Sequence, residues 1–129
     1  RGTDSPVLSD HKALLFDKSK NLLVLPVLVA EVDEEKYPYG FSRDTYGDFV
    51  WQGAYVFNIS LSETPLVFRG GITHLENETD LMKSGYYFDS DYSVERSLYI
   101  ENVLYTISDK KIKMNNIENL EEINEVELP

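Results

Sequence analysis

The sequence contains no cysteine among its 129 residues. Disulfide bonds, thiolate metal sites and a cysteine nucleophile are therefore excluded. The absence leaves the cellular compartment open, because an extracellular protein needs no disulfides when its core is large enough. A chain of this length is the size of one ordinary domain and holds one sizeable core.

Long apolar runs are missing as well. The longest, LLVLPVLVA at 22–30, is interrupted by Pro26 and is shorter than the roughly 18 residues that a transmembrane helix needs. We therefore expect no membrane insertion by this chain and interpret the run as a buried strand. The chain opens at Arg1 without an initiator methionine, and neither a signal peptide nor a transit peptide follows. We expect it to be a piece of a longer protein.

Basic residues are scarce relative to acidic ones. Lys and Arg number 12 and Asp and Glu 23, which gives a net charge of −11. Such a chain repels a phosphate backbone, so nucleic acid is not expected as a partner. Because the carboxylates are spread along the sequence, solubility explains the acidity better than one dedicated cation site does.

The first half of the chain has the pattern of antiparallel strands. ALLF and LLVLPVLVAEV flank a polar turn at 17–21, which predicts a hairpin. Leu14 and Phe16 would lie on one face of the first strand, with Ala13 and Leu15 on the other, so we expect both faces to be covered. An irregular stretch at 33–52 separates this hairpin from two further predicted strands, GAYVFNIS and LVFRGGITHL.

The last third of the chain predicts four short strands, SLYIE, VLYTIS, KIKMN and INEVEL. The connections around Asn102 and Asp109 are so short that they allow only antiparallel neighbours. Four consecutive strands joined in this way form a meander. A second irregular stretch, at 76–95, precedes them.

The two halves share an internal pattern. Leu14 and Phe16, a turn and LLVLP correspond to Leu98 and Ile100, a turn and VLYTI, and GAYVFNIS corresponds to KIKMNNI. This repetition predicts an all-β fold, a β-propeller fragment of about two four-stranded antiparallel blades with long loop insertions. The blade-like units lie at about 12–75 and 96–128. A single eight-stranded sandwich accounts for the strand count but not for the repetition.

Several longer strings point to one family. They are SDHKALLFDKSKNLLVLPVLVAEVDEEKY, YGDFVWQGAYVFNIS, KSGYYF and RSLYIENVLYTISDKKIKMNNIENLEEINEVEL. Over nearly the whole chain the sequence resembles the C-terminal part of a family of secreted, mainly archaeal proteins with a β-propeller domain distantly related to WD-40 repeats. The resemblance implies an extracellular or cell-surface location and a longer, membrane-anchored parent, of which this chain supplies the last blades. It carries no catalytic signature onto these residues.

Aromatic side chains are concentrated in the two irregular stretches. We predict that Tyr46, Phe49 and Trp51 in the first stretch and Tyr87 in the second contact a ligand. Tyr and Trp combine a large contact area with a polar group, which suits binding to a protein or a glycan at the cell surface. The alternative is that these rings cover blade edges or pack between blades.

Two polar motifs are candidates for an ion or a modification. Asp89 and Asp91 lie in a short acidic loop of the kind that binds calcium, although the other ligands of a calcium-binding loop are missing. An ordinary Asx turn is the alternative, and no other cofactor is expected. Asn77 begins an Asn-Glu-Thr sequon and is a candidate for glycosylation.

The two histidines, His11 and His74, give no catalytic or metal-binding signature. Ser9, Asp10 and His11 have the residue types of a hydrolase triad. However, neighbouring residues of a strand point to opposite faces, so Asp10 is poorly placed to orient His11, and a turn or cap role is favoured. His74 has no carboxylate at a metal-ligand spacing.

Together these features favour an extracellular binding or scaffold module with no catalytic residues in this chain. The alternative is part of a propeller enzyme, a hydrolase or a quinone-dependent enzyme, whose active site lies in the channel of the full ring. A two-blade chain leaves one apolar face open on each side, so we also expect self-association.

Overall fold

A computed structural model describes residues 2–60, 63, 65–76 and 90–129. Within these residues the chain forms two antiparallel sheets of four strands each. Sheet 1 consists of β1 (Leu15–Asp17), β2 (Leu22–Glu31), β3 (Asp48–Ile59) and β4 (Leu66–Ile72). Sheet 2 consists of β5 (Arg96–Ile100), β6 (Val103–Ile107), β7 (Lys111–Asn116) and β8 (Glu122–Glu127).

In both sheets the strands follow one another in chain order, so each sheet is a meander. The described helices are single 3₁₀ turns at Pro6–Leu8, His11–Ala13 and Glu34–Lys36. The predicted all-β fold with two four-stranded antiparallel units is confirmed. The described residues include no helix with the length and apolar character that crossing a membrane requires.

The repetition between the halves extends to backbone detail. Leu22 pairs with Asn58 in sheet 1, and Val103 pairs with Asn116 at the corresponding place in sheet 2. The residue after each Asn donates its amide to the preceding turn, Ile59 to the carbonyl of Asn21 at 2.8 Å and Ile117 to that of Asn102 at 2.9 Å. The same local structure is therefore built twice.

The two sheets pack against each other through opposite faces. Val24 and Val56 of sheet 1 are a buried cross-strand pair facing sheet 2, whereas the corresponding pair of sheet 2, Tyr105 and Met114, lies on the side away from sheet 1. Sheet 2 turns its other face, with Leu104, toward sheet 1. The face of sheet 1 that lies against sheet 2 thus corresponds to the outer face of sheet 2. We call this arrangement of the two sheets head to tail.

One hydrophobic core fills the space between the sheets. Its buried members come from both sheets and the adjoining segments, and they are Leu22, Val24, Ala54, Val56, Ile72, Val94, Leu104 and Ile117. Full burial of a Val, Leu or Ile side chain contributes roughly 1.5–3 kcal/mol, and seven of these eight residues are of those types. The contact between the sheets therefore contributes strongly to the stability of the chain.

The outer faces of both sheets are apolar and partly exposed. Phe16 and Phe68 on sheet 1 have 58% and 55% of their surface exposed, and Ile100 on sheet 2 has 58%. The expectation that both faces of the first strand are covered is therefore wrong for the face carrying Leu14 and Phe16. That face is open because the remainder of the described chain packs on the opposite side of β1.

The third strand begins earlier than predicted. β3 starts at Asp48, so Trp51 lies within a strand and pairs with Val29. The irregular stretch therefore ends five residues sooner than the sequence indicated. The register shifts between Val29 and Ala30, which marks a bulge near the end of β2.

Pro26 is tolerated in the middle of β2 because β1 is short. The last residue of β2 that β1 pairs is Val24, so no ladder bond is lost at Pro26. Ser5 Oγ donates a hydrogen bond to the Pro26 carbonyl, and Asp4 exchanges two backbone hydrogen bonds with Leu28. The N-terminal segment thus continues the edge of sheet 1 beyond β1.

The last strand, β8, is an acidic edge strand. All six of its residues are exposed, and three of them are glutamates, Glu122, Glu125 and Glu127. β8 pairs only with β7, so its other side is an open strand edge within the described residues.

Candidate functional site

The long connections of the chain leave from one end of the sheets. In a meander, successive connections alternate between the two ends. The connections β2–β3 (32–47), β4–β5 (73–95) and β6–β7 (108–110) therefore share one end, and the connections β1–β2, β3–β4, β5–β6 and β7–β8 share the other. We call the first the loop end and the second the turn end. The described parts of the two irregular stretches, 33–47, 76 and 90–95, therefore adjoin the loop end.

Local hydrogen bonds give the β2–β3 connection its shape. The Asp33 carboxylate accepts from the amide of Glu35 and begins the 3₁₀ turn Glu34–Lys36. Lys36 Nζ then lies 2.6 Å from Asp48 Oδ2, which ties the start of the connection to the start of β3. Gly47 is required here because a Cβ atom would lie 2.6 Å from the backbone carbon of Glu31.

A cavity of about 200 Å³ lies at the base of this connection. Its wall combines two tyrosine rings, charged side chains and backbone, and consists of Val32, Asp33, Lys36, Tyr37, Tyr46, Gly47 and Asp48. Phenol groups, carboxylates and an ammonium group offer hydrogen-bond donors and acceptors beside aromatic surface. This composition suits a polar ligand that presents both hydroxyl groups and an apolar face.

The ammonium group of Lys36 in the cavity wall is held in its charged form. The hydrogen bond to Asp48, reinforced by the charge of that carboxylate, raises the pKa of Lys36 above its ordinary value of 10.5. Lys36 and Asp48 form an ion pair in the cavity wall. The Asp33 side chain adds a second acidic group to the same wall.

The four aromatic residues predicted to bind a ligand fall in different places. Tyr46 lies in the cavity wall and is 53% exposed, and Phe49 is half-buried at the start of β3. Trp51 is half-buried and stacks on Tyr55 with a centroid distance of 5.0 Å. Tyr87 lies outside the described residues. The structure therefore places Tyr46 and Trp51 on separate surfaces, whereas the sequence placed them in one loop.

Trp51 belongs to an aromatic cluster on sheet 1. Its ring lies over Gly53 and Gly71, where added Cβ atoms would approach it to 2.6 and 2.8 Å. Tyr55 continues the cluster toward Phe57 and Phe68, with centroid distances of 6.2 and 5.0 Å. Glycine at two positions thus makes room for the indole flat against the sheet.

The candidate ion and modification sites lie largely beyond the described residues. Asp89 and Asn77 are both outside them. Asp91 forms a turn with Tyr92, and its carbonyl oxygen accepts from the Lys110 amide at 3.1 Å. Among the residues that the structure describes, no group of three or more His, Asp or Glu side chains is arranged to hold a metal ion.

Asp10 and His11 have a structural arrangement. The Asp10 carboxylate caps the 3₁₀ turn His11–Ala13 by accepting from the Lys12 amide at 3.0 Å. It also lies 3.3 Å from Arg96 on sheet 2. His11 is exposed, and Ser9 Oγ donates to the Pro6 carbonyl. These residues form a cap and an ion pair between sheets, in agreement with the cap role favoured by the sequence.

Lys111 is the centre of a charge cluster at the loop end. Only 1% of its side chain is exposed, and its Nζ atom lies 2.9 Å from Glu76, 3.4 Å from Glu127 and 3.6 Å from Glu125. Burial lowers the pKa of Lys111, but these carboxylates outweigh it and raise the pKa above 10.5. Lys111 in turn lowers the pKa of Glu76. No motif in the sequence indicated this cluster, because its members are far apart in the chain.

Polar side chains also join the two sheets. Gln52 of β3 exchanges two hydrogen bonds with the backbone of Val94, at 3.0 and 2.9 Å. Lys113 Nζ donates to the Thr73 carbonyl at 3.0 Å, and Tyr99 donates to the Asp17 carboxylate. His74, which the sequence left without a role, is buried at this junction.

Comparison with known proteins adds one match. A family model described as "Beta propeller domain" matches residues 1–120. No curated protein matches the chain significantly, and no solved structure does.

Proposed function

The chain belongs to the β-propeller domain family, and from this premise we propose that it is an extracellular binding module that recognises proteins or glycans at a cell surface. Its ligand would be met at the loop end of the blades. We propose further that the parent protein is membrane-anchored and exported, as the resemblance to secreted propeller proteins implies.

The observation that carries this proposal is the cavity at the loop end. Loops supported by rigid strands are the usual place for recognition, and this cavity places Tyr37 and Tyr46 beside the Lys36–Asp48 pair. At about 200 Å³ it is smaller than a typical pocket for a drug-sized molecule. It would therefore take one unit of a larger ligand, such as a single sugar ring or one side chain.

Three charged groups elsewhere in the chain have pKa values that are unsuited to acid–base catalysis. A general acid or base works best when its pKa lies near the working pH. Here the pKa of Lys111 is raised, that of Glu76 is lowered, and hydrogen bonds from Ser19, Tyr99 and the Lys20 amide lower the pKa of Asp17 to about 2. These groups keep one charge state across the physiological range.

Replacement of one tyrosine at the cavity tests the proposal. Tyr46→Ala removes part of the cavity wall, whereas Tyr39→Ala removes a fully exposed ring of the same loop that lies outside the wall. Binding of the purified variants would be measured on a glycan array and on intact cells. We expect Tyr46→Ala to weaken binding at least about fivefold, the loss of about 1 kcal/mol typical of a contact residue.

The control decides between a specific site and general adhesiveness. Tyr39→Ala should bind like the unmodified chain. Equal loss in both variants would mean that exposed aromatic surface, not the cavity, retains the ligand. Retention of full binding by Tyr46→Ala, with circular dichroism unchanged, would exclude the cavity as the recognition site.

A further inference from the structure

A second cavity, of about 330 Å³, lies at the turn end between the two sheets. Its floor is formed by the buried side chains of Leu22 from sheet 1 and Ile117 from the β7–β8 connection. Polar side chains from five different segments surround this floor. The cavity is at the opposite end of the sheets from the one described above, so it is independent of the proposed recognition loop.

Two cationic side chains, Lys20 and Arg69, line this cavity in a chain whose net charge is −11. Arg69 is half-buried, and its Nη1 atom donates to the Ile117 carbonyl at 2.7 Å. Lys20 Nζ lies 5.3 Å from the ring centroid of Tyr99. Neither cation has a carboxylate partner within the part of the chain that the structure describes.

Two carboxamides complete the donor set. The side chains of Asn58 and Asn102 line the cavity from sheet 1 and from the β5–β6 turn, and within the described ranges neither makes a side-chain hydrogen bond. Glu118 contributes a carboxylate to the lining. The cavity thus offers two positive charges, two amide groups and one acceptor around an apolar floor.

We propose that this cavity binds a small sugar acid through its carboxylate. Arg69 keeps a second nitrogen, Nη2, that can pair with a carboxylate oxygen, and Lys20 adds a point charge from the turn. Hydroxyl groups of the ligand would contact Asn58, Asn102 and Glu118. A singly charged carboxylate fits better than a doubly charged phosphate, because the Glu118 carboxylate repels the second charge.

The test uses the whole chain and D-glucuronate as the probe. Titration would be followed by the side-chain amide signals of Asn58 and Asn102 in heteronuclear NMR spectra, with glucose and inorganic phosphate as comparison ligands. A small open cavity of this kind is expected to give a dissociation constant on the order of 1 mM. Both amide signals should shift with glucuronate and not with glucose.

Lys20→Gln is the informative variant, because Lys20 is exposed and its replacement leaves the core intact. We expect it to weaken glucuronate binding by about fivefold to tenfold, the effect of one charge-assisted hydrogen bond. Lys18→Gln is its matched control, an exposed lysine of the same turn that does not line the cavity. Arg69→Gln should abolish binding, with the dispersion of the remaining amide signals reporting that the fold is retained.

Several outcomes would overturn the proposal. They are equal shifts with glucose, equal weakening by Lys18→Gln and Lys20→Gln, tighter binding of phosphate than of glucuronate, and the absence of any shift at millimolar probe. Equal shifts with glucose would show that the carboxylate is not recognised. Equal weakening by the two lysine variants would show that the ligand binds outside the cavity, and tighter binding of phosphate would show that the site does not select a sugar acid.

Discussion

His74 lies between two hydroxyl groups of the neighbouring sheet, with Nδ1 2.7 Å from Ser108 Oγ and Nε2 2.8 Å from Thr106 Oγ1. All three side chains are buried. A neutral imidazole has one donor and one acceptor nitrogen, so it can satisfy both hydroxyl groups at once. The ring therefore links the end of β4 in sheet 1 to β6 in sheet 2.

Stability should fall as the solution is acidified through the range where His74 would take up a proton. Burial, with smaller contributions from Lys113 and Lys111, lowers the pKa of His74 from 6.5 to about 4. The unfolded chain binds that proton below pH 6.5 and the folded chain only near pH 4, so the stabilisation is complete above pH 6.5 and is lost as the pH falls toward 4. The free energy of unfolding should drop by up to about 3 kcal/mol from this group.

Urea denaturation of His74→Gln and His11→Gln over this pH range isolates the contribution of His74 to the pH dependence of stability. His11 is exposed, so His11→Gln should retain the full pH dependence. His74→Gln should be less stable at neutral pH and show a shallower decline on acidification. Parallel curves for the two variants would contradict the assignment, because the decline would then come from carboxylates alone.

Gly53→Ala should be much more damaging than Gly71→Ala. At Gly53 a Cβ atom would lie 2.3 Å from the carbonyl oxygen of Ile72, so β3 and β4 must separate. At Gly71 the nearest atom is the far edge of the Trp51 ring at 2.8 Å, which can shift. We expect losses on the order of 3 and 1 kcal/mol respectively. Thermal unfolding measures both losses, and Trp51 fluorescence should change in Gly71→Ala; equal losses would mean that the indole is as immobile as the backbone.

Lys111→Met should lower the free energy of unfolding only slightly, whereas Lys111→Glu should lower it strongly. The methionine keeps most of the buried aliphatic stem, while the three glutamates around it remain in contact with water. The expected loss is about 1 kcal/mol, against about 3–5 kcal/mol when a carboxylate is buried among them. Added salt should stabilise Lys111→Met by screening the glutamates from one another. Similar losses in both variants would show that the ion pairs themselves dominate.

The chain should self-associate head to tail at high concentration. The outer face of sheet 2 corresponds to the inner face of sheet 1, which packs against sheet 2 within the chain. The outer face of sheet 2 in one copy can therefore pack against the outer face of sheet 1 in another copy with the same geometry. Such a contact is heterologous and continues until a ring closes. Sedimentation velocity over a wide concentration range should show species larger than a dimer.

Blocking one face at a time tests this arrangement. Phe68→Lys charges the outer face of sheet 1, and Leu98→Lys charges that of sheet 2. Each variant alone should remain monomeric, and an equimolar mixture should form heterodimers and nothing larger. Unchanged oligomers in either single variant, or a strictly monomeric unmodified chain, would refute face-to-face association.

The strand pattern was predictable because short connections allow only antiparallel pairing of consecutive strands. Period-two alternation and tight turns predicted β5 to β8 and the β1–β2 hairpin, and the sequence repetition predicted two equivalent sheets. The start of β3 was missed because Asp48 and Gly47 suggested a loop, whereas pairing with Glu31 extends the strand.

The sites were less predictable because their members meet only through packing. His74, Thr106 and Ser108 come together because the end of β4 packs against β6, and Lys20 and Arg69 because two turns share one end of the sheets. Neither set shows a regular spacing in the chain. The aromatic residues were evident in the sequence. However, Trp51 is part of β3 and lies on a face of sheet 1, whereas Tyr46 lies in the β2–β3 connection.

The acidic edge of β8 restricts how copies of this chain can aggregate. Growth of a fibril requires an incoming strand to hydrogen-bond along an open edge, and there such a strand would meet Glu122, Glu125 and Glu127. A second copy would bring an identical row of negative charges to the same place. Templated polymerisation through this edge is therefore opposed by charge, so concentrated solutions should favour compact assemblies over amyloid.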